Sequence, residues 1–78
     1  MEKELQKIYD SEINFEISCF WDSRFKVRLG DPYNGWIDED VFVSLDEVVG
    51  VLREMIFEHL PDSGYAKKYK PTPDKGGE

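Results

Sequence analysis

The sequence predicts an α+β fold: a three-stranded antiparallel sheet with helices on one face, in the order α-β-β-β-α. Three observations predict it. Residues 11–29 contain two runs of alternating apolar and polar side chains, parted only by Asp22-Ser23. Residues 44–60 carry apolar side chains at helical spacing, with a start and a stop signal beside them. Residues 1–9 show the helical spacing over a shorter span.

In the first element Met1, Leu5, Ile8 and Tyr9 fall at i, i+4, i+7 and i+8, which gives a short helix one apolar edge. A helix of that length is marginal alone and must dock. Ser11 to Trp21 then alternates. Ile13, Phe15, Ile17, Cys19 and Trp21 share one face, and Glu12, Asn14, Glu16, Ser18 and Phe20 share the other. In the next strand Phe25, Val27 and Leu29 alternate with Arg24, Lys26 and Arg28. A two-residue loop would set Cys19 opposite Lys26, apolar against charged on one face. A three-residue connection pairs Cys19 with Phe25, Ile17 with Val27 and Phe15 with Leu29, and burial selects that parity.

Gly30-Asp31-Pro32-Tyr33-Asn34-Gly35 is dense in turn formers. Residues 36–43 make the third strand, with Ile37, Val41 and Val43 inward. Glu39 breaks that pattern, so a bulge or a strand rim is expected near Asp38 to Asp40.

Ser44 and Glu47 have the spacing of a capping box, and Val43 and Val48 that of a hydrophobic staple. Leu45, Val48, Val49, Leu52, Met55, Ile56 and Leu60 form the stripe of the helix that follows. Gly50 interrupts it, either for close approach to the sheet or as a tolerated residue. Pro61 has no N–H to continue the ladder. One domain is expected over residues 1–62. Residues 63–78, with Pro71, Pro73, Gly76 and Gly77, read as a flexible tail.

Composition narrows the function. A chain of 78 residues buries about 60–65% of its unfolded surface. With 35% charged and 40% hydrophobic residues it suits a soluble globular domain, and 14% aromatics enlarge a thin core. No run is apolar and long enough for a membrane span. Met1-Glu2-Lys3-Glu4 lacks the start of a signal peptide, and a single cysteine allows no internal disulfide, so the cytoplasm is the expected location. Net charge is −7, and no basic residue stands between Arg28 and Arg53. Asp31, Asp38, Glu39, Asp40, Asp46 and Glu47 lie in that stretch as a candidate acidic surface. It repels phosphate, so the folded core is not expected to bind nucleic acid directly.

Catalytic and metal signatures are missing from the one-dimensional pattern. His59 is the only histidine; no set of metal ligands or triad partners is apparent, and it reads as a residue of the last helical turn, where its charged form suits the helix dipole. Cys19 falls on the inward face, where a thiol acts as a small hydrophobe. No phosphate loop occurs. No catalytic residue, metal or cofactor is therefore expected. Phe20 and Phe42 take the polar parity of their strands and share it with Arg24, Lys26 and Arg28. Exposed aromatics beside cations are what protein interfaces enrich, so these five form the candidate interface.

The α-β-β-β-α order over residues 1–60 resembles the double-stranded RNA-binding domain in topology. That family grips phosphates with lysines at the start of the last helix, where this chain has Ser44-Leu45-Asp46-Glu47. Phe25-Lys26-Val27-Arg28-Leu29, then Ser44-Leu45-Asp46-Glu47-Val48-Val49 and Glu58-His59-Leu60, resemble the HicB-type antitoxin domain, which implies neutralisation of a small toxin by protein contact. Phe20-Trp21-Asp22, Leu29-Gly30-Asp31, Asn34-Gly35 and His59-Leu60-Pro61-Asp62 are similar to a set of short uncharacterised bacterial and prophage proteins. The function expected is that of a non-enzymatic, acidic protein-binding module, accessory or antitoxin-like, with a protein partner or a second copy. The alternative is a nucleic-acid-mimicking inhibitor of phage or mobile-element type, whose carboxylates stand in for phosphates.

Overall fold

The computed structural model describes residues 1–69. Helix α1 (Glu2–Asp10) precedes strands β1 (Phe15–Phe20), β2 (Arg24–Asp31) and β3 (Gly35–Val43). A 3-10 turn (Leu45–Glu47) then opens into α2 (Val48–His59), and a short helix α3 (Gly64–Tyr69) follows. The sheet is antiparallel in the order β1-β2-β3. Ile8 of α1, Leu52 and Ile56 of α2 and Tyr65 of α3 share one buried cluster with Val27 and Leu29 of β2. The α+β fold and its helix-covered sheet face are as the sequence predicts, with one helix added.

The first hairpin has the register that burial requires: Phe15 with Leu29, Ile17 with Val27, Cys19 with Phe25. Its turn closes where the Ser23 N–H donates to the Phe20 carbonyl at 2.8 Å. Arg24 follows with φ 67°, as in connections that end on a left-handed residue. Cys19 keeps the inward parity but is exposed, against expectation. It sits one pair from the turn, and α2 packs mainly on β2 and β3.

β3 departs from simple alternation twice. Leu29 pairs with Asp38 and Val27 with Asp40, while Gly30 pairs with Trp36 and Phe25 with Val43. Extra residues therefore bulge out at Ile37 and at Val41-Phe42. Each bulge switches the face presented by the residues beyond it. The bulge expected near Asp38 to Asp40 is present at both ends of that segment. Ile37 and Val41, expected inward, are instead 48% and 43% exposed. Gly30 makes the first bulge possible: its φ is 116°, and a Cβ there would lie 2.6 Å from the Gly35 carbonyl oxygen.

The entry to α2 also corrects the sequence reading. Ser44 makes no side-chain bond to a helix N–H. Its Oγ lies 2.7 Å from carboxylate oxygens of both Asp46 and Glu47, and its single proton serves one at a time. The Glu47 N–H donates instead to the Ser44 backbone carbonyl at 2.9 Å, which winds the first turn as 3-10. Leu45, expected on the apolar stripe, is 58% exposed. A Cβ on Gly50 would meet nothing within 4 Å, so this glycine is tolerated and serves no close approach.

The largest correction is at the C-terminal end. The flexible tail expected from residue 63 does not begin there, because Gly64–Tyr69 is helical and Tyr65 is fully buried. Ser63 Oγ accepts the Ala66 N–H at 3.1 Å, as an N-cap does. The Tyr65 ring stacks on Phe57 at 5.8 Å, and its hydroxyl lies 3.3 Å from Glu4 Oε2 on α1. Apolar burial and a satisfied hydroxyl thus fasten a six-residue helix too short to persist alone. The part of the expected tail beyond residue 69 lies outside the described residues.

Candidate functional site

The sheet face away from the helices holds most of the predicted interface. Phe20, Lys26 and Phe42 line one shallow groove of about 260 Å³ with Ser23, Phe25 and Val41. The Lys26 ammonium lies 5.6 Å from the centre of the Phe20 ring, within cation–π range. Phe20 is 47% and Phe42 66% exposed, and Trp21 at the hairpin tip is 94% exposed. Phe42 has φ 58°, a left-handed conformation that a bulky side chain rarely adopts. The second bulge imposes it and turns the ring toward solvent. Arg24 sits opposite Phe20 at the hairpin end but does not line the groove.

Arg28 belongs to a different group. Its Nε lies 2.8 Å from Glu39 Oε1 and 3.6 Å from Glu16 Oε1, and its guanidinium covers the Trp36 ring at 4.5 Å. The pairing follows from the register, which sets Arg28 beside Glu16 on one side and Glu39 on the other. The five predicted interface residues thus divide: three meet in a groove, one stands at its end, and Arg28 is held by acids from both flanking strands.

The six acidic candidates divide as well. Asp31 organises the β2–β3 turn, its Oδ1 accepting the Tyr33 and Asn34 N–H groups at 2.8 Å each, while Asn14 donates to Oδ2 at 2.9 Å. The hydrogen bond from the Asn34 backbone, with help from Tyr33, Asn34 and Asn14, holds its carboxyl below the ordinary aspartate range. Glu39 faces Arg28 on the outer surface. Asp46 and Glu47 flank Ser44. Asp38 and Asp40 take the helix-side parity at the sheet edge.

There the tertiary structure builds something the sequence pattern hid. Asp38, Glu39 and Asp40 of β3 and Glu54 and Glu58 of α2 line a hollow of about 200 Å³. His59 Nε2 lies 2.9 Å from Asp38 Oδ2. Asp38, Glu58 and His59 each bring one potential ligand atom within 4.8 Å of the other two. Twenty-one residues separate Asp38 from His59, so no local motif signals the meeting. The available signal was the Glu39 break, since a bulge there turns Asp38 toward α2.

Comparison with protein-family models, with curated proteins and with solved structures finds no match to this chain. No helix among the described residues is long and apolar enough to cross a membrane.

Proposed function

We propose that this chain is a non-enzymatic protein-binding module, accessory or antitoxin-like, which engages a protein partner or a second copy through the groove of Phe20, Lys26 and Phe42. The observation that carries the reading is Phe42. A phenyl ring held 66% exposed by a left-handed backbone is costly twice over, in hydration and in conformation. Such strain is repaid where the ring enters a partner's pocket. Phe20, Val41 and Trp21 extend the apolar surface around it, and Lys26 supplies a cation at its rim.

The nucleic-acid mimic has less support. A phosphate-mimicking carboxylate must be free to meet a basic groove. Here Asp31 is bound by its turn, Glu39 by Arg28 and Asp38 by His59, and Asp46 and Glu47 flank the Ser44 hydroxyl.

The test is the double variant Phe20→Ser with Phe42→Gly. Glycine accepts φ 58° without strain, so the variant should keep the wild-type circular dichroism spectrum. Analytical ultracentrifugation should show weaker self-association, or, for a separate partner, the wild-type chain should retain that partner as bait while the variant releases it. A folded variant that associates as the wild type does would refute the reading.

A further inference from the structure

We propose that Asp38, Glu58 and His59 form a binding site for a divalent transition-metal ion of the zinc class. The two closest donors stand near the separation that an ion requires. Ligands about 2.0–2.2 Å from a zinc-sized ion, set at the tetrahedral angle, stand about 3.3–3.6 Å apart. His59 Nε2 and Asp38 Oδ2 are 2.9 Å apart. An ion bound by both sits beside the line that joins them, in place of the proton, once the pair opens by about half an ångström and the imidazole turns toward it. The Glu58 carboxylate, exposed at the end of α2, lies within 4.8 Å of both and joins the set by swinging toward the ion.

Two supports lie outside the donor atoms. Asp38 Oδ1 accepts the Glu39 N–H at 2.8 Å, which orients the carboxylate and leaves Oδ2 toward His59. His59 is the last residue of α2, at the negative end of the helix dipole, where a cation is favoured. The adjoining hollow has Asp40 and Glu54 on its walls besides the donors and no lysine or arginine, while Glu39 turns its carboxylate outward to Arg28, so its potential draws cations inward. The imidazole decides the class. Calcium and magnesium prefer all-oxygen sites, whereas a mixed nitrogen and oxygen set suits zinc and its neighbours. Three protein ligands leave one or more positions for water.

The experiment uses the full chain, freed of metal, in a Cys19→Ser background, because the exposed thiol is a competing soft ligand. Zinc chloride is titrated by calorimetry while the ring nitrogens of His59, the only histidine, are followed by NMR. The expected result is saturation at one equivalent with a selective shift of Nε2. His59→Gln and Asp38→Asn should each weaken binding by more than the roughly 10–100-fold that even an outer-shell change costs. The control Asp46→Asn with Glu47→Gln removes more charge away from the hollow and should leave affinity unchanged. Failure to saturate, an unmoved His59 Nε2, or equal weakening by the control would overturn the proposal. The NMR readout needs no substitution among the three donors, so a misfolded donor variant cannot obscure the answer.

Discussion

Ser44 and Asp31 show how similar side-chain chemistry serves different ends. Ser44 occupies the sequence position of an N-cap, but its hydroxyl donates to exposed carboxylates and leaves the helix N–H groups alone. Ser44→Ala should therefore cost at most about 0.5 kcal/mol, a surface-substitution value, and not the roughly 1 kcal/mol of a lost cap. Urea denaturation distinguishes the two. Asp31 is the stronger local organiser, since backbone and side-chain donors converge on its charged form. Its carboxyl is held below the ordinary range, chiefly by the Asn34 N–H. The sign follows from linkage: the turn is fully supported above the unfolded aspartate value, and the support is lost as pH falls through the lower folded value. An NMR pH titration should find the Asp31 carboxyl carbon midpoint below that of a free aspartate. Asp31→Asn should flatten that part of the acid stability profile.

At the scale of elements, α3 decides where the domain ends. Tyr65 is fully buried between Phe57 and Tyr69, and its hydroxyl reaches Glu4 across to α1. Tyr65→Ala should cost about 3–5 kcal/mol, as other large-to-small aromatic changes do, and this is a large share of a small domain's stability. Truncation before Gly64 should lower the melting temperature by many degrees, as read by circular dichroism. Burial pushes the Tyr65 hydroxyl above its ordinary value, so its stabilising contribution is complete below the unfolded tyrosine value and fades as pH rises through the folded one. Tyr65→Phe keeps the packing and should remove that alkaline loss. β3 shows the same dependence on context, because two bulges reassign its faces and so create both the Phe42 surface and the Asp38–His59 corner.

At the scale of the whole molecule the acidic candidates do not share one face, although Asp38 and Asp40 meet Glu54 and Glu58 at one hollow. Glu39 lies outward with Arg28, Asp38 and Asp40 lie at the helix-side edge, and Asp31 is in a turn. Partner binding through the Phe20–Phe42 groove should accordingly depend weakly on ionic strength. Raising salt from about 0.1 M to 1 M shortens the Debye length from about 10 Å to 3 Å, which should change such an affinity by less than tenfold, whereas a phosphate mimic would lose far more. Titration calorimetry at the two salt concentrations measures the difference.

The sequence alone determined the parts governed by local periodicity. Odd-numbered apolar residues from Phe15 to Leu29 admit one parity of hairpin pairing, since a slip by one would bury Arg28 and expose Leu29. The 3.6-residue stripe from Val48 to Ile56 admits one buried helix face. Glu39 disclosed that the third strand must break. Tertiary structure decided the rest. Whether Ile37 and Val41 face in or out depends on where each bulge falls, and that is set by Gly30 and by the partner strand. Tyr65 becomes a core residue only because Phe57 of α2 and Glu4 of the distant α1 converge on it. Asp38 meets His59 only once β3 lies against α2. Periodicity encodes which face of an element is apolar, but the contacts between elements arise from packing, where side chains far apart along the chain must fill the same space.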